Sequence, residues 1–318
     1  MISRIALPAA LLLASTTAFA QSGLTLSGRV DLNVGKDIGA GQKRMGTGSM
    51  SYLAFAGTED LGGGLLASFK LSTRINADNG TTNAPGAFLN SPAGTYWSQE
   101  SSVGLRGGWG ALTLGRQMTA ALLPQILVDP WFWDNTTNGF TASTGNIGNL
   151  WYNDAATYAY DAGAFSLVAQ IAAKDANPGW SGTPRKTPYS FALGYAPGPW
   201  QLRFGYEKPA DGRSRLATLF GGYNFGALTL HAMVAGGTDH ADASVRTWAV
   251  SSVIPAGSGQ FRASFGHYKR ADVVGSQKLA LGYHHYLSKR TSVYTTFAHD
   301  SKAAAQRNGY EVGLQHTF

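Results

Sequence analysis

The chain has 318 residues, 44% of them hydrophobic but only 14% charged. That is well under the roughly 25% charge of an average soluble domain, yet no apolar run reaches the roughly 18 residues of a membrane-spanning helix; a secreted all-β protein or a barrel whose outer face meets lipid remains. The net charge of +7 is scattered without a basic run, which argues against nucleic acid as a partner, and the absence of cysteine removes any disulfide framework.

The first twenty residues have the three parts of a secretory signal peptide: Arg4 in a positive n-region, an apolar stretch from Ile5 to Leu13, and the small-x-small site Ala18-Phe19-Ala20. The reading is a leader over 1–20 and a single mature domain over 21–318.

From Gly23 the residues Leu24, Leu26, Val30, Leu32 and Val34 share one parity, and Thr25, Ser27, Arg29, Asp31 and Asn33 the other. Period two marks a strand with one apolar and one polar face. The alternation predicts further strands near 50–57, 64–75, 101–107 and 111–116. After a long gap it predicts 152–161, 164–174, 187–196, 199–207, 214–225, 227–236, 243–254, 260–269, 276–287, 291–299 and 308–318. The total is about sixteen, an even number, as antiparallel closure of a single-chain barrel requires. The connections alternate between tight turns, such as Ala162-Gly163 and Pro197-Gly198, and longer polar loops, the layout of a membrane barrel with its short turns on the periplasmic side. Trp109, Tyr195, Trp200, Tyr223, Phe225 and Phe318 fall at or beside the tight turns, where an interfacial girdle sits.

The longest interruption runs from Gln117 to Trp151. A connection of that length is uncommon and usually functional, and it is apolar enough to pack inside the barrel. The expectation is an all-β, transmembrane antiparallel barrel with this loop folded into the lumen. Asp129 and Asp134 are the acids of the loop, flanking Pro130, Trp131, Phe132 and Trp133. Carboxylates across a bore from basic groups create a transverse field that favours polar solutes. Trp131 and Trp133 either pack the loop onto the wall or line a pore for an aromatic or sugar-like solute. By parity Arg29, Asp31, Lys70, Arg74, Arg106 and Arg203 point into the lumen. The spacing of a calcium loop is missing, so no metal or cofactor is expected. His284 and His285 are strand neighbours facing opposite sides, and without a nucleophile signature the chain does not read as an enzyme.

The segments AFAQSGLTLSGRVDLNVG, FAGTEDLGGGLLASFKL and SSVGLRGGWGALTLGRQ, with the terminal GYEVGLQHTF, resemble the general porins of Gram-negative outer membranes, most of all those of β-proteobacteria. The resemblance covers essentially the whole mature chain. It implies a homotrimer in the outer membrane, in contact with its lipids and lipopolysaccharide, each barrel passing ions and small hydrophilic solutes by passive diffusion through a bore narrowed by the third loop. It also implies that Phe318 and the C-terminal strand are presented to the barrel-assembly machinery. The family sets a row of wall arginines against loop acids. Arg116 matches one of these positions, but the other two fall on Tyr52 and Ala159, so the expected anion preference is weak. A substrate-specific channel and a structural or adhesive barrel are the alternatives left open.

Overall fold

A computed structural model describes residues 23–82, 95–132, 147, 149–177 and 185–318. The leader, Trp133 and Asp134 lie outside the described residues. The strands are β1 Gly23–Lys36, β2 Arg44–Thr47, β3 Tyr52–Gly62, β4 Leu65–Asn76, β5 Thr81–Thr82, β6 Ser101–Gly107, β7 Gly110–Met118, β8 Trp151–Ala162 and β9 Phe165–Ala172. They continue with β10 Tyr189–Tyr195, β11 Trp200–Lys208, β12 Arg215–Asn224, β13 Thr229–Thr238, β14 Ser244–Ala256, β15 Gly259–Arg270, β16 Val273–Tyr286, β17 Thr291–Asp300 and β18 Asn308–Thr317.

Every consecutive long strand pairs antiparallel with the next, and β1 closes the ring on β18, with Arg29 opposite Thr317 and Lys36 opposite Tyr310. On its other edge β1 pairs first with β3 and then with β2. Thus β2 and β3 form one stave, interrupted where Ser49 and Ser51 turn toward Asp31. Among the described residues the short β5 pairs with the end of β4. Sixteen staves remain, all of them anticipated by the alternation; β2 and β5 were not, being too short to show a period.

The two faces separate along every stave. In the β12–β13 pair, Leu219 opposite Val234 is 52% and 55% exposed, while Phe220 opposite Met233 is 0% and 2% exposed. The first parity faces outward, and its row of exposed Leu, Val and aromatic side chains would be a large liability in water. In hydrocarbon it is the stable surface, because closure pairs the backbone groups that lipid cannot satisfy. The second parity faces inward and is largely polar, with Asp31, Asn33, Gln170, Glu207 and Glu311 buried there.

At the tight-turn end the outward aromatics form a belt. Phe165 stacks on Tyr195 with ring centres 4.4 Å apart, and Trp200 meets Tyr223 edge-on at 4.5 Å. The turns themselves need backbone that only glycine adopts without strain, as at Gly163 (φ 63°) and Gly198 (φ 62°). Phe318 lies at the closing seam. Its N–H donates to the Gly28 carbonyl at 3.1 Å and its carbonyl accepts the Gly28 N–H at 3.0 Å. Its ring lies over Gly28, where an added Cβ would come within 2.4 Å of Phe318 Cζ.

Candidate functional site

The segment after β7 turns inward at once. A 3-10 turn, Ala120–Leu122, leads into a one-turn helix, α1 Leu123–Leu127, with Pro124 in its first turn, where a missing N–H leaves no bond unmade. The Ala120 N–H donates to Ser190 Oγ at 3.0 Å and to Gln170 Oε1 at 3.3 Å, both on the inner face. The wall has no side chain where the turn lies against it: a Cβ on Gly205 would stand 3.0 Å from the Ala121 oxygen and 3.1 Å from Pro124 Cγ. Val128 then packs on the inward Phe220 and Met233, and Trp131 packs on Ala280 and Ala298 of β16 and β17. Again the wall is small there, since a Cβ on Gly282 would lie 3.2 Å from Trp131 Cζ2.

On the return, Ile147 packs against Leu216, Ala235 and Val245, and Leu150 against Leu122. Asn149 N–H and Tyr152 O–H both donate to Glu207 Oε1 at 2.9 Å. The described parts of the segment therefore follow the inner wall from β9 to β17, held by apolar side chains and by one buried carboxyl group.

Asp129 sits midway along this path, 7% exposed, its Oδ1 accepting the Trp131 N–H at 2.9 Å. A basic group that shares its field is Lys278 on the inner face of β16, which also feels Asp300. Arg116 is not its partner. A bulge lies beside Arg116, with its extra residue on β8: Gly115 faces Ala155 and Gln117 faces Tyr152, with Asp154 at φ 47° between them. The bulge therefore leaves Arg116 on the parity of Leu112 and Leu114, opposite Ser101, away from the lumen. Its guanidinium donates to the Ser98 carbonyl at 2.6 and 3.0 Å and to Asn153 Oδ1, and lies 5.7 Å from the Trp151 ring. That is an anchor among connections at the long-loop end.

Ala159 also falls away from the level of Asp129. It faces inward but pairs with Ala111, beside the tight turn, at the tight-turn mouth of the barrel. Tyr52 is different: it stands in an inward row, between Arg29 and Arg74 by register, with the Arg29 guanidinium 6.0 Å from its ring.

The other inward charges lie where parity puts them. Arg29 donates to the Ser49 carbonyl and hydroxyl at 3.3 Å, and Lys70 pairs with Glu100 at 2.8 Å. Arg203 pairs across from the buried Phe220, and Arg106 lies near the tight turn that joins β6 to β7. Asp31 accepts from Tyr294 O–H at 2.7 Å, Gln315 Nε2 at 2.8 Å and Ser49 N–H at 3.1 Å. The same network continues through Asn33, which donates to Glu311 at 2.8 Å and accepts from Arg44 at 2.7 Å. His284 stacks on Tyr294, ring centres 4.8 Å apart, while its neighbour His285 points outward beside Tyr283.

Lys278, Arg44, Arg262 and Glu207 were missed as lumen residues. For Lys278 the signal was present, since it alternates with the outward Leu279 and Leu281 in QKLALGY; none of the wall positions implied by the resemblance falls on it.

A closed barrel with an apolar exterior, a charged interior and a segment lying along its inner wall defines a channel-forming protein of the outer membrane. The chain belongs to the Gram-negative porin family, whose profile matches residues 6–305. It is 28% identical to outer membrane porin protein 32 of Delftia acidovorans, over 97% of this chain and 98% of that one. It is 24% identical to an outer membrane porin protein of Bordetella pertussis, over 82% and 80% respectively. Among solved structures it superposes on the anion-selective porin from Comamonas acidovorans with a TM-score of 0.75 at 24% identity, over 94% of this chain and 100% of that one.

Proposed function

We propose that the protein is a general diffusion channel, passing ions and small hydrophilic solutes through a bore narrowed by the segment 117–151, with Asp129 of the segment and Lys278 of β16 side by side at the narrowing. The observation that carries this is the path of the segment over the inner wall, from Ala121 at Gly205 to Trp131 at Ala280 and Ala298. Fixed charges at the narrowing set the local field in the bore. Arg29, Lys70, Arg74, Arg106, Arg203, Arg262 and Lys278 add positive potential to the inner face, offset in part by Asp31, Asp129, Glu207 and Glu311, so the reading is a weak anion preference. A solute-specific aromatic filter is less favoured, because Trp131 is 1% exposed and spent on packing against the wall. No catalytic role or cofactor is part of the proposal, and the leader over 1–20 is taken to be removed on export.

Planar-bilayer recording tests it. Large, linear conductance with a small anion-favouring reversal potential in a potassium chloride gradient is expected; conductance blocked by one solute, or none at all, would replace this reading.

A further inference from the structure

One row of inward positions crosses four neighbouring staves near the tight-turn end. Asp161 of β8 faces Ser166 of β9, Ser166 faces Gly194 of β10, and Gly194 faces Arg203 of β11. Ser166 shares the inward parity of the buried Gln170, and Arg203 that of the buried Glu207. Arg203 is also one inward position from Gly205, against which Ala121 and Pro124 of the segment rest. Because β11 starts from its tight turn at Trp200, the row lies on the tight-turn side of the narrowing.

Gly194 makes the row a trough. A Cβ there would collide with Ser166 Oγ and stand 3.0 Å from Arg203 Nη1, so the guanidinium lies over the glycine and points along the row toward the serine hydroxyl. The wall does not consume its donors: Arg203 Nε is buried without a hydrogen-bond partner, which is costly for so strong a donor. Among the described residues neither Arg203 nor Asp161 is in an ion pair. Asp161 is exposed, the last inward residue of β8 before the turn. Two strand spacings, roughly 10 Å, separate Gly194 from Asp161. The carboxylate covers part of that distance, and the remainder suits a small molecule that bonds to both ends.

We propose that Asp161, Ser166 and Arg203 form a subsite for the zwitterionic backbone of a free α-amino acid, with the solute's carboxylate on the Arg203 guanidinium, its ammonium on Asp161 and the Ser166 hydroxyl between them. The order of charges carries the choice. A simple anion leaves Asp161 opposing it and a simple cation is opposed by Arg203, whereas a solute bearing both signs at this spacing makes a charge-assisted bond at each end. The inference rests on the channel reading for the solute's access and adds to it a solute class, held beyond the narrowing.

Saturation-transfer NMR on the detergent-folded wild type, titrated with L-alanine, N-acetyl-L-alanine and L-alaninamide, tests it. L-Alanine is expected to show saturable transfer at its methyl group. The two analogues, each lacking one of its charges, are expected to bind about tenfold or more weakly, as the loss of a hydrogen bond to a charged group implies. Asp161→Asn and Arg203→Gln are each expected to reduce L-alanine to that weak level. Absence of saturable transfer from L-alanine, equal binding of the three compounds by the wild type, or wild-type affinity in both variants overturns the inference. If a variant does not fold, the comparison of the three compounds on the wild type decides. The readout does not depend on conductance, so a wild type that conducts but does not prefer L-alanine fails this inference alone, and one that does not conduct fails the channel reading.

Discussion

Asp129 lies within the field of Lys278, so in the proposed channel each charge limits the other's effect on passing ions. Asp129→Asn leaves Lys278 as the stronger local charge and is expected to move the reversal potential toward anions, while Lys278→Gln moves it toward cations. The double variant should fall near the wild type, because the two charges it removes oppose each other; reversal potentials in a potassium chloride gradient read all three. Gly28 supports a second prediction at this scale. An added methyl would meet the Phe318 ring at 2.4 Å and the Tyr52 oxygen at 2.8 Å, and backbone cannot yield as a side-chain tip can. Gly28→Ala is expected to destabilise the closed barrel by about 1–3 kcal/mol, seen as a lower urea midpoint for loss of the heat-modifiable form.

Among the connecting elements, the inner segment is held by packing and the outer ones by polar contacts. Trp131→Ala removes the buried ring that holds the segment to β16 and β17, and large-to-small changes of this kind cost about 3–5 kcal/mol. Noisier and larger single-channel currents from a barrel of normal heat-modifiability are the expected outcome. The β13–β14 connection responds instead to pH. Burial pushes the Asp239 carboxyl up, but the Ala243 N–H, Arg270 and the Ala241 N–H outweigh it and hold it below the ordinary 3.8. A depressed folded value means that its stabilisation is fully present above about pH 4 and is lost only as pH falls through that lowered value. Hydrogen exchange at Ala241 and Ala243 should therefore stay slow at about pH 5 and rise, beyond the change in intrinsic rate, only in stronger acid. The staves were legible in the sequence because a lipid-facing parity and a water-facing parity differ at every second residue, as Leu24 and Thr25 already show. The inner segment's course was less so. Its length and apolarity pointed inward, but the wall positions that receive it, Gly205, Gly282, Ala280 and Ala298, are small residues on inward parity that no local pattern singles out. Arg116 stands on the outward parity of Leu112 and Leu114, and the bulge beside it leaves it there because the extra residue is on the partner strand, at Asp154, some forty residues away in sequence.

At the scale of the whole molecule, closure of β1 on β18 makes the last residue part of the seam, and deleting Phe318 is expected to lower the yield of heat-modifiable protein. The central claim, that Asp129 lies in the conduction path beside Lys278, has a direct test, because the chain has no cysteine and Asp129→Cys would carry its only thiol. With that variant in a planar bilayer, a cationic methanethiosulfonate reagent added to the bath is expected to lower single-channel conductance and shift the reversal potential toward anions, and an anionic reagent to shift it toward cations. Complete labelling, established by mass spectrometry, that leaves both conductance and reversal potential unchanged would contradict the account.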